Sequence, residues 1–289
     1  MPKIIVMADL HIVPETELSY SLEASARTQE AIGFINNNHA DADLLVIAGD
    51  LADRGDAASY RRLKDLLAEI DLPYVITLGN HDDRPSFLAE FGDIVDPETG
   101  KMDRSVTLDG CGIVILDSSE PGVSSGRLSA VQLDWLSKRL AEHAATPVVV
   151  VLHHNICPLH NQNDRIILEE RDAFIHVLRG HPDIRTVVSG HVHMTASGTY
   201  RGIPFSNFAG NHYSIEPTLQ SLSGPVPAPV RRREGPGQIA VIIVDQDSAV
   251  VIKENFLDRH LVLAQELFPT KRRDSEQLLA QAKPTTVPA

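Results

Sequence analysis

Cysteine is scarce: the chain has two in 289 residues, Cys111 and Cys157. They show no C-x-x-C spacing and cannot build a disulfide framework, which excludes a small disulfide-stapled domain and fits a reducing cytoplasm. Positive charge is short as well. Lys and Arg number 26 against 39 Asp and Glu, a formal net charge of −13. So acidic a chain draws no nucleic acid by bulk electrostatics, and an anionic substrate must meet a local cationic group. No apolar run approaches the roughly 18 residues of a membrane-spanning helix, so no membrane partner is expected. The opening MPKIIVMADLH holds one basic residue and a short apolar run that gives way to Asp9 and His11, and it does not read as a signal peptide. A G-x-S-x-G element, a Gly-rich phosphate loop and any internal repeat are also missing, which sets aside serine-nucleophile and P-loop chemistry.

What is present is ordinary globular composition, 43% hydrophobic and 22% charged, enough for one large domain with an appendage. Short β-branched runs alternate with helix-length stretches. Strands are predicted at 4–7, 44–47, 74–77, 113–116, 148–152 and 186–188, and helices at 21–38, 57–70, 129–143 and 166–179. Continuous apolar strands separated by helices imply sheets buried beneath helices, an α/β class. After residue 195 the pattern turns to short strands, with a hairpin expected from 239–244 and 250–252. The domain is expected to run over 1–269. Within it, 216–237 reads as a Pro/Gly/Arg-rich loop or arm, a cap or dimer element, and 270–289 reads as a mobile tail. The runs Arg231-Arg232-Arg233 and Lys271-Arg272-Arg273 read as solvated loop charge.

The strand ends carry the chemistry. The first closes in Asp9-Leu10-His11 and the second in Gly49-Asp50-Leu51-Ala52-Asp53-Arg54. The third closes in Gly79-Asn80-His81-Asp82, and two later ones in His153-His154 and Gly190-His191-Val192-His193. Open α/β sheets place their sites at the carboxyl ends of strands. Asp9, His11, Asp50, Asn80, His153, His191 and His193 offer oxygen and imidazole ligands suited to Fe, Mn, Zn or Co. Seven groups are too many for one tetrahedral ion and suit two, with Asp50 as a natural bridge because a carboxylate has two oxygens. Two-metal sites clamp both oxygens of an in-line displacement at phosphorus and yield hydroxide near neutral pH. Gly49, Gly79 and Gly190 permit sharp turns and close backbone approach.

Taken as a set, these motifs resemble the calcineurin-like metallophosphoesterases, and within them the bacterial class III cyclic-nucleotide phosphodiesterases and the related glycerophosphodiesterases. The resemblance spans residues 9–193. It implies a four-layer αββα sandwich with a strand-rich C-terminal segment. It implies one divalent metal ion held by Asp9, His11, Asp50 and His193, and a second held by Asp50, Asn80, His153 and His191. His81 matches the catalytic histidine of the family. On this basis metal-bound hydroxide attacks phosphorus, and His81 and Asn80 are the catalytic residues. His81 stabilises charge or protonates the leaving group, and Asn80 donates its amide to a phosphate oxygen.

Asn80, His81, His154 and His212 are the expected substrate contacts, and the loop with Cys157 and His160 is a candidate pocket wall. Asp53 and Asp82 are read as orienting groups. Arg54 is read as a phosphate contact or an ion-pair partner. The expected substrate is a small phosphodiester, a cyclic nucleotide ahead of a glycerophosphodiester; a nuclease and a metal-poor binding scaffold are the lesser alternatives. In relatives of this kind, C-terminal segments pair subunits, so a homodimer or higher homo-oligomer is expected.

Overall fold

The computed structural model describes residues 1–217 and 230–257. The expected arm at 216–237 therefore lies outside the described residues at 218–229, and the expected tail at 270–289 lies wholly outside them. In chain order, β1 (Lys3–Met7), α1 (Ala24–Asn38), β2 (Leu44–Ala48), α2 (Ala57–Leu67), β3 (Tyr74–Thr77) and α3 (Arg84–Phe91) form the first half. Next come β4 (Arg104–Leu108), β5 (Cys111–Leu116), α4 (Ala130–Glu142), β6 (Val148–Leu152), α5 (Arg171–Leu178) and β7 (Ile184–Ser189). The last described elements are β8 (Ala196–Tyr200), β9 (Ile203–Asn207), β10 (Ser214–Ile215), β11 (Arg232–Arg233), β12 (Gln238–Val244) and β13 (Ala249–Asn255).

One sheet has the order β13-β12-β1-β2-β3 and the other β4-β5-β6-β7-β9-β8. Side-chain alternation along each strand sorts residues to two faces. Ile4 and Val6 of β1 join Leu44 and Val46 of β2, and meet Ile113, Ile115, Val149 and Val151 from the other sheet in one buried cluster. Ile5, Met7, Leu45 and Ile47 point the other way, against Ala31 and Ile35 of α1 and Tyr60 and Leu63 of α2. On the far side, Val114, Val150 and Val187 pack against Trp135 and Leu136 of α4 and Phe174 of α5. The layers are helix, sheet, sheet, helix, the αββα sandwich expected. Each such aliphatic side chain, fully buried, contributes about 1.5–3 kcal/mol.

Several expected boundaries move, each for a local reason. The helix expected from 21 begins at Ala24, because Ser19 and Leu22 exchange backbone hydrogen bonds in a tight turn. The helix expected over 57–70 ends at Leu67, where Glu69 and Ile70 switch to shorter-range bonds onto Leu66 and Leu67. The helix expected over 166–179 forms only over Arg171–Leu178. A 3-10 turn, Gln162–Arg165, precedes it, and the Leu168 N–H donates to the Asn155 carbonyl instead of to a helical partner. Helix α3 and strand β4 were not expected. The late hairpin is found, and β12 runs antiparallel beside β1.

β1, β2 and β3 are mutually parallel, and so are β5, β6 and β7. Helical crossovers are what parallel pairing requires, and they bring all carboxyl ends of a sheet to one edge. The loops after β1, β2 and β3 and after β6 and β7 meet at that edge.

Candidate metal centre

Asp9, His11, Asp50 and His193 each offer a ligand atom within 4.8 Å of the others', and all four are buried. His153, His154 and His191 form an adjoining buried group by the same measure. The backbone is forced to achieve this. Asp9, His11, Asp50, His191 and His193 all hold left-handed φ values, between 49° and 66°. Such conformations are uncommon for residues with a Cβ and cost on the order of 1–3 kcal/mol each, so they persist where surrounding structure over-determines them. Gly190 shows how tight the packing is. A methyl added there would overlap Asp9 Oδ2 and come within 2.8 Å of the Ala8 Cβ. Gly190→Ala is therefore expected to displace the Asp9 carboxylate and weaken metal binding by about 10–100-fold, the scale at which supporting groups act. Titration against buffered Mn²⁺ measures this, and unchanged affinity would show that Asp9 is no ligand.

Each imidazole has one nitrogen committed to a fixed acceptor. His11 Nδ1 lies 3.1 Å from Asp53 Oδ1, and His153 Nδ1 lies 2.9 Å from the Ala48 carbonyl. His193 Nδ1 lies 3.0 Å from the Tyr213 carbonyl, and His191 Nε2 lies 2.9 Å from the Ile166 carbonyl. Carbonyls and carboxylates only accept, so these ring nitrogens carry the protons and donate. The remaining nitrogens face one another in pairs. His11 Nε2 and His193 Nε2 are 3.2 Å apart, as are His191 Nδ1 and His153 Nε2. His11 and His193 are neutral rings, so theirs are lone pairs pointed at each other, an arrangement that asks for a cation. The His153–His191 pair reaches the same state only when His153 gives up its Nε2 proton, as it would on binding a metal. Donating the far N–H to a carboxylate or carbonyl is how metal-binding histidines are held and made more basic.

Asp50 lies between the pairs. Its Oδ2 is 3.8 Å from His11 Nε2 and 3.3 Å from His153 Nε2, while its Oδ1 accepts from the His81 backbone N–H at 2.9 Å. Asp9 Oδ1 is 3.4 Å from His193 Nε2 and accepts from the His191 N–H at 3.0 Å. Asn80 Oδ1 is buried with no hydrogen-bond partner. An orphaned amide oxygen at this place has the chemistry of a ligand that lacks its ion. The donor sets Asp9, His11, Asp50 and His193, and His153, His154 and His191, have the chemistry to hold divalent metal.

The electrostatics point the same way. Burial pushes Asp9 up to about 7, with the Asp50 charge adding to it. Burial works against the charge on Asp50 too, but His153 and His81 outweigh it and hold that carboxyl well below its usual range. Burial disfavours a charged His153, yet Asp50 overrides this and raises it to about 9. Burial, with His153 beside it, drives His191 down to about 3. Positive charge is stabilised next to Asp50.

His81 is half-buried. Its Nδ1 donates to the Asp53 carbonyl at 2.7 Å, and its Nε2 has no hydrogen-bond partner among the described residues. Asp53 and Asp82 orient their neighbours. Asp53 Oδ1 accepts from the His11 Nδ1–H and from the Ser19 hydroxyl. Asp82 accepts from the Leu51, Ala52 and Gly79 N–H groups and from the Tyr60 hydroxyl. His154 and His212 are fully buried. His154 Nδ1 lies 2.8 Å from the Ser118 hydroxyl, and His212 Nε2 donates to the Ser19 carbonyl. Arg54 is exposed and pairs with Glu17 at 3.0 Å. Cys157 is partly buried in the chain leading to the 3-10 turn, and His160 is exposed.

Sequence reasoning missed Ser19, Tyr60 and Tyr213. The Tyr213 ring stacks on His193 at 3.9 Å and 8°. Arg232 is exposed, as expected, but it sits on β11 and is not a loose loop charge. Arg232 lies over the Tyr20 and Tyr213 rings, at 4.4 and 5.3 Å.

Comparison with known proteins agrees with this geometry. Residues 2–195 match the calcineurin-like phosphoesterase family. A probable cyclic nucleotide phosphodiesterase of Rhodococcus erythropolis is 36% identical over 215 residues, covering 72% of this chain and 70% of that protein. A cAMP/cGMP dual specificity phosphodiesterase of Mycobacterium tuberculosis is 33% identical over 219 residues, covering 74% and 68%. Among solved structures, a dimetal phosphatase from Danio rerio superposes with a TM-score of 0.63 at 15% identity, over 88% of this chain and 96% of that one. At that identity the likeness shows the fold alone.

Proposed function

The chain belongs to the calcineurin-like phosphoesterase family, and from that premise we propose that it hydrolyses small phosphodiesters, cyclic nucleotides first among them, at a two-metal centre. The observation that carries this reading is the pair of facing imidazoles on either side of Asp50, with the orphaned Asn80 oxygen beside them. Asp9, His11, Asp50 and His193 would hold one ion, and Asp50, Asn80, His153 and His191 the other. Such ions, when bound, supply a water-derived nucleophile near neutral pH and counter-charge for the phosphoryl oxygens.

The chain's own residues do the rest. Asn80 presents its amide nitrogen to a phosphate oxygen while its carbonyl oxygen faces the metal. His81, fixed through Nδ1, turns Nε2 to the leaving group. Asp53 and the Ala48, Ile166 and Tyr213 carbonyls keep the four ligand imidazoles in one tautomer and orientation. A diester carries one negative charge where a monoester carries two, and the proposed ligands include no Lys or Arg, which favours the diester. The curated relatives named above as cyclic nucleotide phosphodiesterases favour that substrate class.

A turnover panel tests the reading. The metal-reconstituted protein is given 3′,5′-cyclic AMP, 2′,3′-cyclic AMP, glycerophosphocholine, a bis-aryl phosphodiester and an aryl monoester. The highest kcat/KM is expected for 3′,5′-cyclic AMP and the lowest for the monoester. Faster turnover of glycerophosphocholine would replace the cyclic nucleotide, and a monoester preference would overturn the diester assignment.

Metal removal is a second test. Dialysis against a chelator is expected to abolish turnover and lower the melting temperature, and Mn²⁺, Fe²⁺, Co²⁺ or Zn²⁺ to restore both. Ligand at 100 times its Kd stabilises a fold by about 2.7 kcal/mol, so the shift is measurable. Full activity after complete stripping would end the two-metal reading. The same proposal includes a homodimer, resting on the family resemblance, and a cytoplasmic setting, resting on cysteine usage. A monomer by light scattering at micromolar concentration would refute the former. Among the described residues no helix is long and apolar enough to cross a membrane.

A further inference from the structure

Tyr20 and Arg232 stand beside this centre and have no part in the chemistry above. On β11, Arg233 pairs with Glu216 at 3.0 Å and Arg231 approaches the same carboxylate at 4.0 Å. Arg232 between them has no carboxylate partner among the described residues. Its guanidinium carbon lies 4.4 Å from the Tyr20 ring centre and 5.3 Å from that of Tyr213. Tyr213 is stacked on His193 at 3.9 Å, and Tyr20 meets Tyr213 edge-on at 5.0 Å. A continuous series of planar groups thus runs from a proposed metal ligand outward to Arg232 and Tyr20.

Both outer members are held in place. Tyr20 and Ser21 adopt left-handed backbone, φ 47° and 65°, in the turn closed by Ser19 and Leu22. That is a costly conformation for a tyrosine, and it sets the ring beside the guanidinium. β11 is paired with β10, which starts one residue after Tyr213. Tyr20 nevertheless stays 52% exposed, and Arg232 is exposed as well. A planar cation and a planar ring are presented to solvent next to the centre of a chain whose net charge is −13.

We propose that Tyr20 and Arg232 form a shelf on which the planar base of a nucleotide substrate stacks, which makes Arg232 a specificity-determining residue. This rests on the substrate class assigned above. A guanidinium is planar, delocalised and weakly hydrated, so it stacks on rings as well as attracting anions. Unpaired bases are held on aromatic side chains and on Arg planes. Anchoring of phosphate needs only charge, whereas a shelf needs planarity, and that difference can be measured.

The experiment is calorimetric titration of the full-length, Mn²⁺-loaded chain with 5′-AMP and, separately, with inorganic phosphate. Arg232→Ala is expected to weaken 5′-AMP by about 10–100-fold, the scale of losing one stacking partner, and to leave phosphate within about twofold. Arg232→Lys, which keeps the charge and loses the plane, should bind 5′-AMP nearly as poorly as Arg232→Ala. Tyr20→Ala should follow the same pattern. Melting temperatures confirm that the variants are folded. Equal weakening of both ligands, full retention by Arg232→Lys, or unchanged 5′-AMP binding in Arg232→Ala would each overturn the shelf. None of these readouts needs turnover. Failure to hydrolyse cyclic nucleotides therefore sinks the substrate reading, and an unchanged 5′-AMP affinity sinks the shelf.

Discussion

Asp50→Ala is expected to abolish phosphodiester turnover, beyond the roughly 10²–10³-fold that loss of one transition-state donor costs. The reason is position. Asp50 Oδ2 is the carboxylate oxygen that approaches both facing imidazole pairs, 3.8 Å from His11 Nε2 and 3.3 Å from His153 Nε2. Removing it takes a ligand from both proposed ions at once. Metal content should fall with activity, and the Mn²⁺-induced rise in melting temperature should disappear, because stabilisation by a ligand requires that the folded state bind it. Asp50→Asn keeps the shape and one neutral oxygen, so it should retain part of the metal and little of the rate. An Asp50→Ala protein that still carries two ions per chain and turns over substrate would refute the bridging assignment.

The legible part of this centre was the part written in side chains. Each proposed ligand closes a short apolar run, so Asp9, His11, Asp50, Asn80, His153, His191 and His193 stand out where hydropathy drops at a strand end. The four-layer fold was reached through the family resemblance, and the bare periodicity carried only buried sheets beneath helices. What escaped was written in the backbone. The Ala48, Ile166 and Tyr213 carbonyls fix three imidazoles, and a carbonyl has no sequence signature. Ile166 shows how this also misleads. Residues 166–170 have helical spacing, but the Ile166 carbonyl serves His191, and regular helix begins only at Arg171. Helix α3 is eight residues long with a proline in its first turn, too short for periodicity to reveal.

Contacts distant in sequence were equally hard to read. His154 reads as a substrate contact from its place after His153, and His212 from its place after the site. Both are fully buried, and each keeps one ring nitrogen, His154 Nε2 and His212 Nδ1, without a partner among the described residues beside its bond to Ser118 or to the Ser19 carbonyl. Arg232 is exposed as expected, but the rings it lies over come from residues 20 and 213, and local pattern does not see so far. The pairing of β12 with β1 has the same character, since Val6 meets Ala240 across most of the chain.

His81→Ala is expected to lower kcat by about 10²-fold or more, the scale of general acid catalysis or of one transition-state charge contact, with metal content near that of the wild type. The structure separates the two effects. The contact His81 makes with Asp50 is through its backbone N–H, 2.9 Å from Oδ1, and alanine keeps that donor. The imidazole is fixed elsewhere, through Nδ1 on the Asp53 carbonyl, so its loss leaves the bridging carboxylate in place and removes only the free Nε2. If His81 protonates the leaving group, the loss should shrink for a substrate whose leaving group is acidic, such as a nitrophenol, and be largest for an alkoxide. Equal losses on both would assign His81 to the charge on phosphorus instead. His81 also lies within 4.8 Å of His11 and Asp53 as a third group of ligand type, so the metal assay decides a real alternative. Loss of an ion on substitution would make His81 a ligand and leave the centre without its proposed acid.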